Sequence, residues 1–168
     1  MTSRQTERLW LRPWGHGDRD FAQRFYGDPE IMAIRKLGVL APAAAAAELA
    51  RVVAHWRDHG FGLWLLGALD GPDDPLGECG LRWLADGSDV ELSYGLVPAA
   101  RGRGLAAEAA RAALDFGFAT LGLRRVIAIA NRRNVASHRV MARLGMTRLA
   151  TEPGSRTVRY LATAPEAA

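Results

Sequence analysis

The chain has 168 residues, 49% of them hydrophobic, which suits one globular domain with its own core and excludes a disordered chain. The formal net charge of +4 is divided unevenly: residues 1–100 carry 10 Lys and Arg against 14 Asp and Glu, and residues 101–168 carry 12 Arg against 4 acidic residues. The first stretch therefore sums to −4 and the second to +8, a pattern that points to an anionic ligand near the second.

No apolar run approaches the ~18 residues of a membrane span. The first residues lack an apolar signal region, and the single Cys79 excludes an internal disulfide. The expectation is a cytoplasmic protein without a membrane partner.

In chain order, Glu7 to Trp14 reads as a short strand closed by Pro13. Phe21 and Phe25 stand at helical spacing and predict a helix over 18–26. A second helix is expected over 42–59, with Pro42 at its first position and alanines at 43–47. Phe61 to Leu69 is an apolar strand, and the Gly-Pro-Asp-Asp-Pro run at 71–75 reads as a turn. Strands over 76–84 and 90–97 flank the hairpin signal Asp86-Gly87. A long helix follows over 105–121, ended by Gly122. A strand is expected over 125–130, a helix over 135–144, and strands over 146–151 and 157–161.

The order β-α-α-β-β-β-α-β-α-β-β predicts an α+β domain with a mixed sheet. The hairpin-linked strands should be antiparallel. The unit from 90–97 through the long helix to 125–130 should be a parallel crossover.

The segment Arg101-Gly102-Arg103-Gly104-Leu105-Ala106 joins a strand to that long helix. Glycines let successive N–H groups converge on one point, and a helix N-terminus adds unpaired donors and a positive dipole end. Together they suit a phosphate or pyrophosphate, with Arg101 and Arg103 adding charge. A plain strand-to-helix turn is the alternative. Two fingerprints overlap here: G-x-G-x-x-A of dinucleotide sites and [QR]-x-x-G-x-[GA] of coenzyme A loops. A dinucleotide site needs a carboxylate after the next strand, where Asn131-Arg132-Arg133 stands instead.

Asn134 is a natural N-cap for the helix over 135–144, and Ser137 lies in its first turn. A developing thiolate would be stabilised there, and the serine hydroxyl could protonate it. Ordinary helix-start chemistry is the competing account.

With these segments in place, the sequence resembles the GNAT N-acetyltransferases of the RimJ/RimL branch. The resemblance runs over nearly the whole chain: Thr6-Glu7-Arg8-Leu9-Trp10-Leu11-Arg12, Gly77-Glu78-Cys79-Gly80-Leu81, Glu91-Leu92-Ser93-Tyr94-Gly95-Leu96, the 101–106 loop, Asn134-Val135-Ala136-Ser137 and Met141-Ala142-Arg143-Leu144-Gly145-Met146. It implies a sheet splayed between strands 90–97 and 125–130, with acetyl-CoA as cofactor and an amine as acceptor. It implies that the strand backbone at Leu96 and Val97 meets the pantetheine arm. The loop from Arg101 through Gly102, Arg103, Gly104 and Leu105 to Ala106 would hold the pyrophosphate, and Asn134 would touch the cofactor arm. Ser137 would protonate the leaving thiolate. For the base, Glu91 working through water is the first choice and Glu78 the second.

Weaker signals point to little. His55 and His59 are one helical turn apart but lack a third ligand, so no metal is expected. The arginines are not interleaved with aromatics, and no nucleic-acid partner is expected. Either a monomer or a homodimer is compatible with the sequence. Two other functions stay open here: an acyl-CoA-binding module without turnover, and a dinucleotide-dependent enzyme.

Overall fold

The computed structural model describes residues 2–35 and 37–165. The elements are β1 (Arg4–Gln5), β2 (Leu9–Pro13), α1 (Arg19–Gly27), α2 (Pro29–Met32), α3 (Pro42–His59), β3 (Leu63–Ala68), β4 (Gly71–Trp83) and β5 (Val90–Leu96). They continue with α4 (Leu105–Ala119), β6 (Arg125–Asn131), α5 (Val135–Arg143), β7 (Thr147–Arg148) and β8 (Thr157–Thr163). One eight-stranded sheet runs in the order β1-β2-β3-β4-β5-β6-β8-β7. This is the expected mixed α+β architecture. No helix among the described residues is long and apolar enough to cross a membrane.

Local chemistry sets the helix ends. Pro42 opens α3, and Gly60 closes it at φ 74°, a left-handed turn that a side chain would strain. Along α3, Ala45, Leu49, Val52 and Trp56 form the buried stripe. β3 alternates between two cores: Leu63 and Leu65 face α1 and α3, whereas Trp64 and Leu66 face the opposite side, under α4. The alanines of α4 let it lie close on the sheet; a Cβ at Gly117 would stand 2.7 Å from Leu81 Cδ1.

Four elements differ from expectation. β1, antiparallel to β2, precedes the one strand foreseen at Glu7–Trp14. α2 was unforeseen; Asp28 caps it by accepting from the Glu30 N–H, and Pro29 fills its first position. The 71–75 run is strand rather than turn: register shifts on either side of Gly67 pair Gly67 with Pro75 and Ala68 with Gly71. β7 is two residues long instead of six, and β8 lies between it and β6.

The feature that positions the site is a split. β5 pairs antiparallel with β4 from Val90 to Leu96, yet toward β6 it shares one parallel bridge, Glu91 with Ile127. Beyond that bridge the two strands part, as the splayed sheet required. The Val97 N–H bonds the Leu76 carbonyl, so alternation along the strand turns the amide edges of Tyr94 and Leu96 toward the gap.

Candidate active site

The loop between β5 and α4 has the expected form. Gly102 and Gly104 sit at φ 74° and 80°, the left-handed region. The Arg101 N–H is engaged by the Pro98 carbonyl. From Gly102 through Ala107 no backbone N–H has a partner among the described residues; the Glu108 N–H, bonding Gly104, begins the helix ladder. No side chain caps α4 at Gly104. Orphan donors and a helix N-terminus thus occur together in one loop, the combination that suits a diphosphate.

A cleft of about 530 Å³ opens from this loop along the split toward α5. Leu96, Arg101, Gly102, Gly104, Leu105, Ala106, Asn134 and Ser137 all line it. Val97 and Arg103 do not line it. Val97 packs against the cores and spends its N–H on Leu76, while the Arg103 carbonyl accepts from Arg8 Nη1 at 2.8 Å.

Arg101 reaches the cleft but turns its charge elsewhere. Its Nε donates to the Leu96 carbonyl at 3.2 Å, and its two amino groups meet the carbonyl and carboxylate of Glu30 on α2. The positive charge at the cleft comes instead from Arg139 and Arg143, four residues apart on α5. Neither forms an ion pair among the described residues. Arg143 Nη1 stands 3.3 Å from where a Cβ on Gly104 would be. The signal for these two was available, as arginines on the helix face that also carries Ala136 and Val140.

A second cleft, about 230 Å³, adjoins the first and shares Ile34, Arg35, Tyr94, Asn134 and Ser137 with it. Both expected bases line this second cleft. Glu91 pairs with Arg82 Nε at 3.3 Å. Glu78, 1% exposed, accepts from the Tyr26 hydroxyl at 2.6 Å and from Arg35 at 2.8 Å, so both of its oxygens are held. Burial, reinforced by Glu78, pushes the Tyr26 phenol well above its ordinary range.

At the shared seam, Asn134 caps α5 by accepting from the Ser137 N–H at 3.1 Å. The Tyr94 hydroxyl donates to the Ser137 carbonyl at 3.3 Å, and burial pushes its pKa up to about 12, so it stays protonated. No cluster of metal-ligating side chains occurs among the described residues.

These residues fit coenzyme A: orphan amides and two uncommitted arginines for its phosphates, and a strand edge turned toward the split for its extended arm. The dinucleotide alternative falls, because β6 ends at Asn131 and no carboxylate stands where a ribose would need one.

Comparison with known proteins agrees with the geometry. Residues 8–147 match the family model described as an acetyltransferase (GNAT) domain. The uncharacterized N-acetyltransferase p20 of Bacillus licheniformis is 25% identical over 142 residues, covering 84% of this chain and 80% of that one. The crystal structure of an acetyltransferase from Agrobacterium tumefaciens superposes with a TM-score of 0.85 at 26% identity, covering 96% and 94% of the two chains. RimL, a ribosomal L7/L12 α-N-protein acetyltransferase solved with coenzyme A, shares the fold at a TM-score of 0.77 and 14% identity, over 97% and 98% of the chains. The chain belongs to the GNAT acetyltransferase family and is an acetyl-CoA-dependent acyltransferase.

Proposed function

We propose that the chain is a RimJ/RimL-like N-acetyltransferase whose acceptor is a primary amine, either a protein N-terminus or a small molecule, seated in the smaller cleft. The observation that carries this reading is the meeting of two clefts at Tyr94, Asn134 and Ser137. One cleft has phosphate-binding donors at its far end; the other is lined by the carboxylates of Glu48, Glu78 and Glu91. Acetyl-CoA supplies the activated acyl group. The amine attacks it directly, so no acyl-enzyme is needed and no nucleophilic side chain is required of the protein. Cys79 supports this division: it is fully buried, and burial drives its thiol far above the ordinary range.

In this reading Gly102, Gly104, Leu105 and Ala106 hold the pyrophosphate through their amides, Leu96 meets the arm, and Asn134 orders the helix start that Ser137 occupies. Ser137 donates toward the leaving thiolate. An α-amino group titrates near ~7.7–8.0, so a modest base suffices. Glu91 serves through water; Glu78 is committed at both oxygens to Tyr26 and Arg35. We place the enzyme in the cytoplasm, consistent with a free, buried cysteine.

The test is a free-thiol assay with acetyl-CoA against a panel of N-terminal peptides and small amines, with mass spectrometry of the acceptors. Thiol release matched by an acetylated amine is expected. Tight coenzyme binding without release across the panel would favour a silent acyl-CoA-binding module instead.

A further inference from the structure

Four enclosed polar side-chain atoms lack a hydrogen-bond partner among the described residues: Arg4 Nε, Trp10 Nε1, Trp14 Nε1 and Arg35 Nη1. Of these four residues, Arg35 alone lines the two clefts, and it lines both. It follows α2 in the segment leading to α3, a region without periodic signal, and its guanidinium is held at one end. Nη2 donates to Glu78 Oε1 at 2.8 Å and faces Ser93 Oγ at 3.4 Å. The other amino group, Nη1, rests on the Cα face of Gly95, where a Cβ would collide with it. Gly95 belongs to the stretch of β5 beside the split. A guanidinium N–H left unbonded away from water is costly, and a donor kept in that condition beside a cleft calls for a reason.

We propose that Arg35 is a catalytic residue, donating through Nη1 to the acyl oxygen of the bound thioester. This inference rests on the acetyl-transfer reading above. The seam at Tyr94 and Gly95 is where an acyl group carried along the split meets the amine cleft. Arg35, Tyr94 and Gly95 line the larger cleft together, so Nη1, seated on Gly95, lies beside that seam. The existing Arg35–Glu78 pair is neutral as a unit, which suits a neutral carbonyl better than a carboxylate brought beside Glu78 and Glu91. During transfer the amine nitrogen bonds to the acyl carbon, and the carbonyl pair moves onto the oxygen that Arg35 faces. That pair then returns, the carbon–sulfur bond breaks, and sulfur leaves with its electrons. The nitrogen passes one proton through solvent to Glu91, the sulfur gains one from Ser137, and solvent carries a proton from Glu91 back to Ser137. Charge on the oxygen is greatest in the transition state, so a fixed donor there accelerates the step.

A structural role, in which Arg35 does no more than neutralise Glu78, makes a different prediction in a double-variant comparison. Arg35→Gln is measured alone and in the Glu78→Gln background, which leaves no unpaired carboxylate and keeps the fold accessible. If Arg35 touches the acyl oxygen, kcat falls about 100-fold on removing it in both backgrounds, while KM for acetyl-CoA changes little. An Arg35 effect that vanishes in the Glu78→Gln background overturns the proposal. The second readout needs no turnover: infrared spectroscopy of acetyl-CoA labelled with carbon-13 at the thioester carbonyl, bound to each protein. The bound carbonyl stretch should lie lower in Glu78→Gln than in the Arg35→Gln, Glu78→Gln double variant. Equal frequencies would remove Arg35 from the oxygen while leaving the acetyltransferase reading intact. Failure of acetyl-CoA to bind the wild type would remove both.

Discussion

Tyr94 and Ser137 meet across the split in the sheet, the phenol on β5 donating to the backbone carbonyl of the first turn of α5 over 3.3 Å. This contact joins the two halves that the single β5–β6 bridge leaves apart, at the place where the two clefts open into each other. It fixes the Ser137 backbone from one side while Asn134 fixes it from the other.

The first prediction concerns Ser137. With its backbone held twice, Ser137→Ala removes the hydroxyl and leaves the helix start in place. We expect kcat to fall roughly ten-fold to a thousand-fold with little change in coenzyme affinity. Steady-state kinetics with a reactive amine checks this, and an unchanged kcat removes Ser137 from proton transfer.

Gly104 is the second target. Its φ of 80° and its neighbour Arg143, whose Nη1 would be 3.3 Å from an added Cβ, both oppose a side chain. A left-handed non-glycine residue costs about 1–2 kcal/mol, so Gly104→Ala should weaken coenzyme A binding about ten-fold. Titration calorimetry reads the change, and undiminished affinity would show that the loop holds its amides without this glycine.

Glu108 supplies a third. It accepts from Thr6 Oγ1, from the Arg8 N–H and from the Arg8 guanidinium, and Arg8 in turn donates to the Arg103 carbonyl of the loop between β5 and α4. Burial alone would raise its carboxyl pKa, but the bonds from Thr6 and Arg8 outweigh it and hold the group below 4.5. A depressed folded pKa means stability that is present above the unfolded value and lost as pH falls through the folded one. Glu108→Gln should therefore lower stability near neutral pH by about 1–2 kcal/mol, with Arg8 half-exposed, and the deficit should shrink below about pH 4. Urea unfolding at the two pH values measures it.

His55 gives a pH dependence of its own. The Trp83 N–H can only donate and the Phe61 carbonyl can only accept, so Nε2 receives at 3.1 Å and Nδ1 carries the proton at 2.7 Å. The ring is thus neutral, and burial lowers its pKa below 6.5, aided by His59 and Arg82. As pH falls through 6.5 the unfolded chain takes up the proton first, so stability should decline until the folded pKa is passed. His55→Gln should flatten that slope between about pH 7.5 and 5 in thermal melts. A slope unchanged in the variant would assign the effect to another group.

What the sequence revealed depended on the range of the causes. The bent form of the 101–106 loop and the Asn134 cap were legible because backbone bending at Gly102 and Gly104, and capping at Ser137, are decided within a few neighbouring residues. The long helices showed through equally local signs, Pro42 and the alanine run for α3 and the Gly122 stop for α4. α2 was missed because four residues carry no period, although Asp28-Pro29 is a helix-start pair. The strand at 71–75 was hidden because its glycine and prolines look like a turn until the bulge around Gly67 absorbs them. The contact of Arg101 with Glu30 left no trace in the sequence, because the two residues lie 71 apart. Arg35 left no mark at all, since its place at the seam exists only once β4 and β5 bring Glu78 and Gly95 under it.

The most direct test of the whole account is nitrogen-15 NMR of the backbone amides during titration with coenzyme A. Saturable shifts concentrated at Gly102, Arg103, Gly104, Leu105 and Ala106, and carried along Tyr94 to Leu96, are the predicted result. Coenzyme binding that leaves those amides unmoved, or no binding at all, would contradict it.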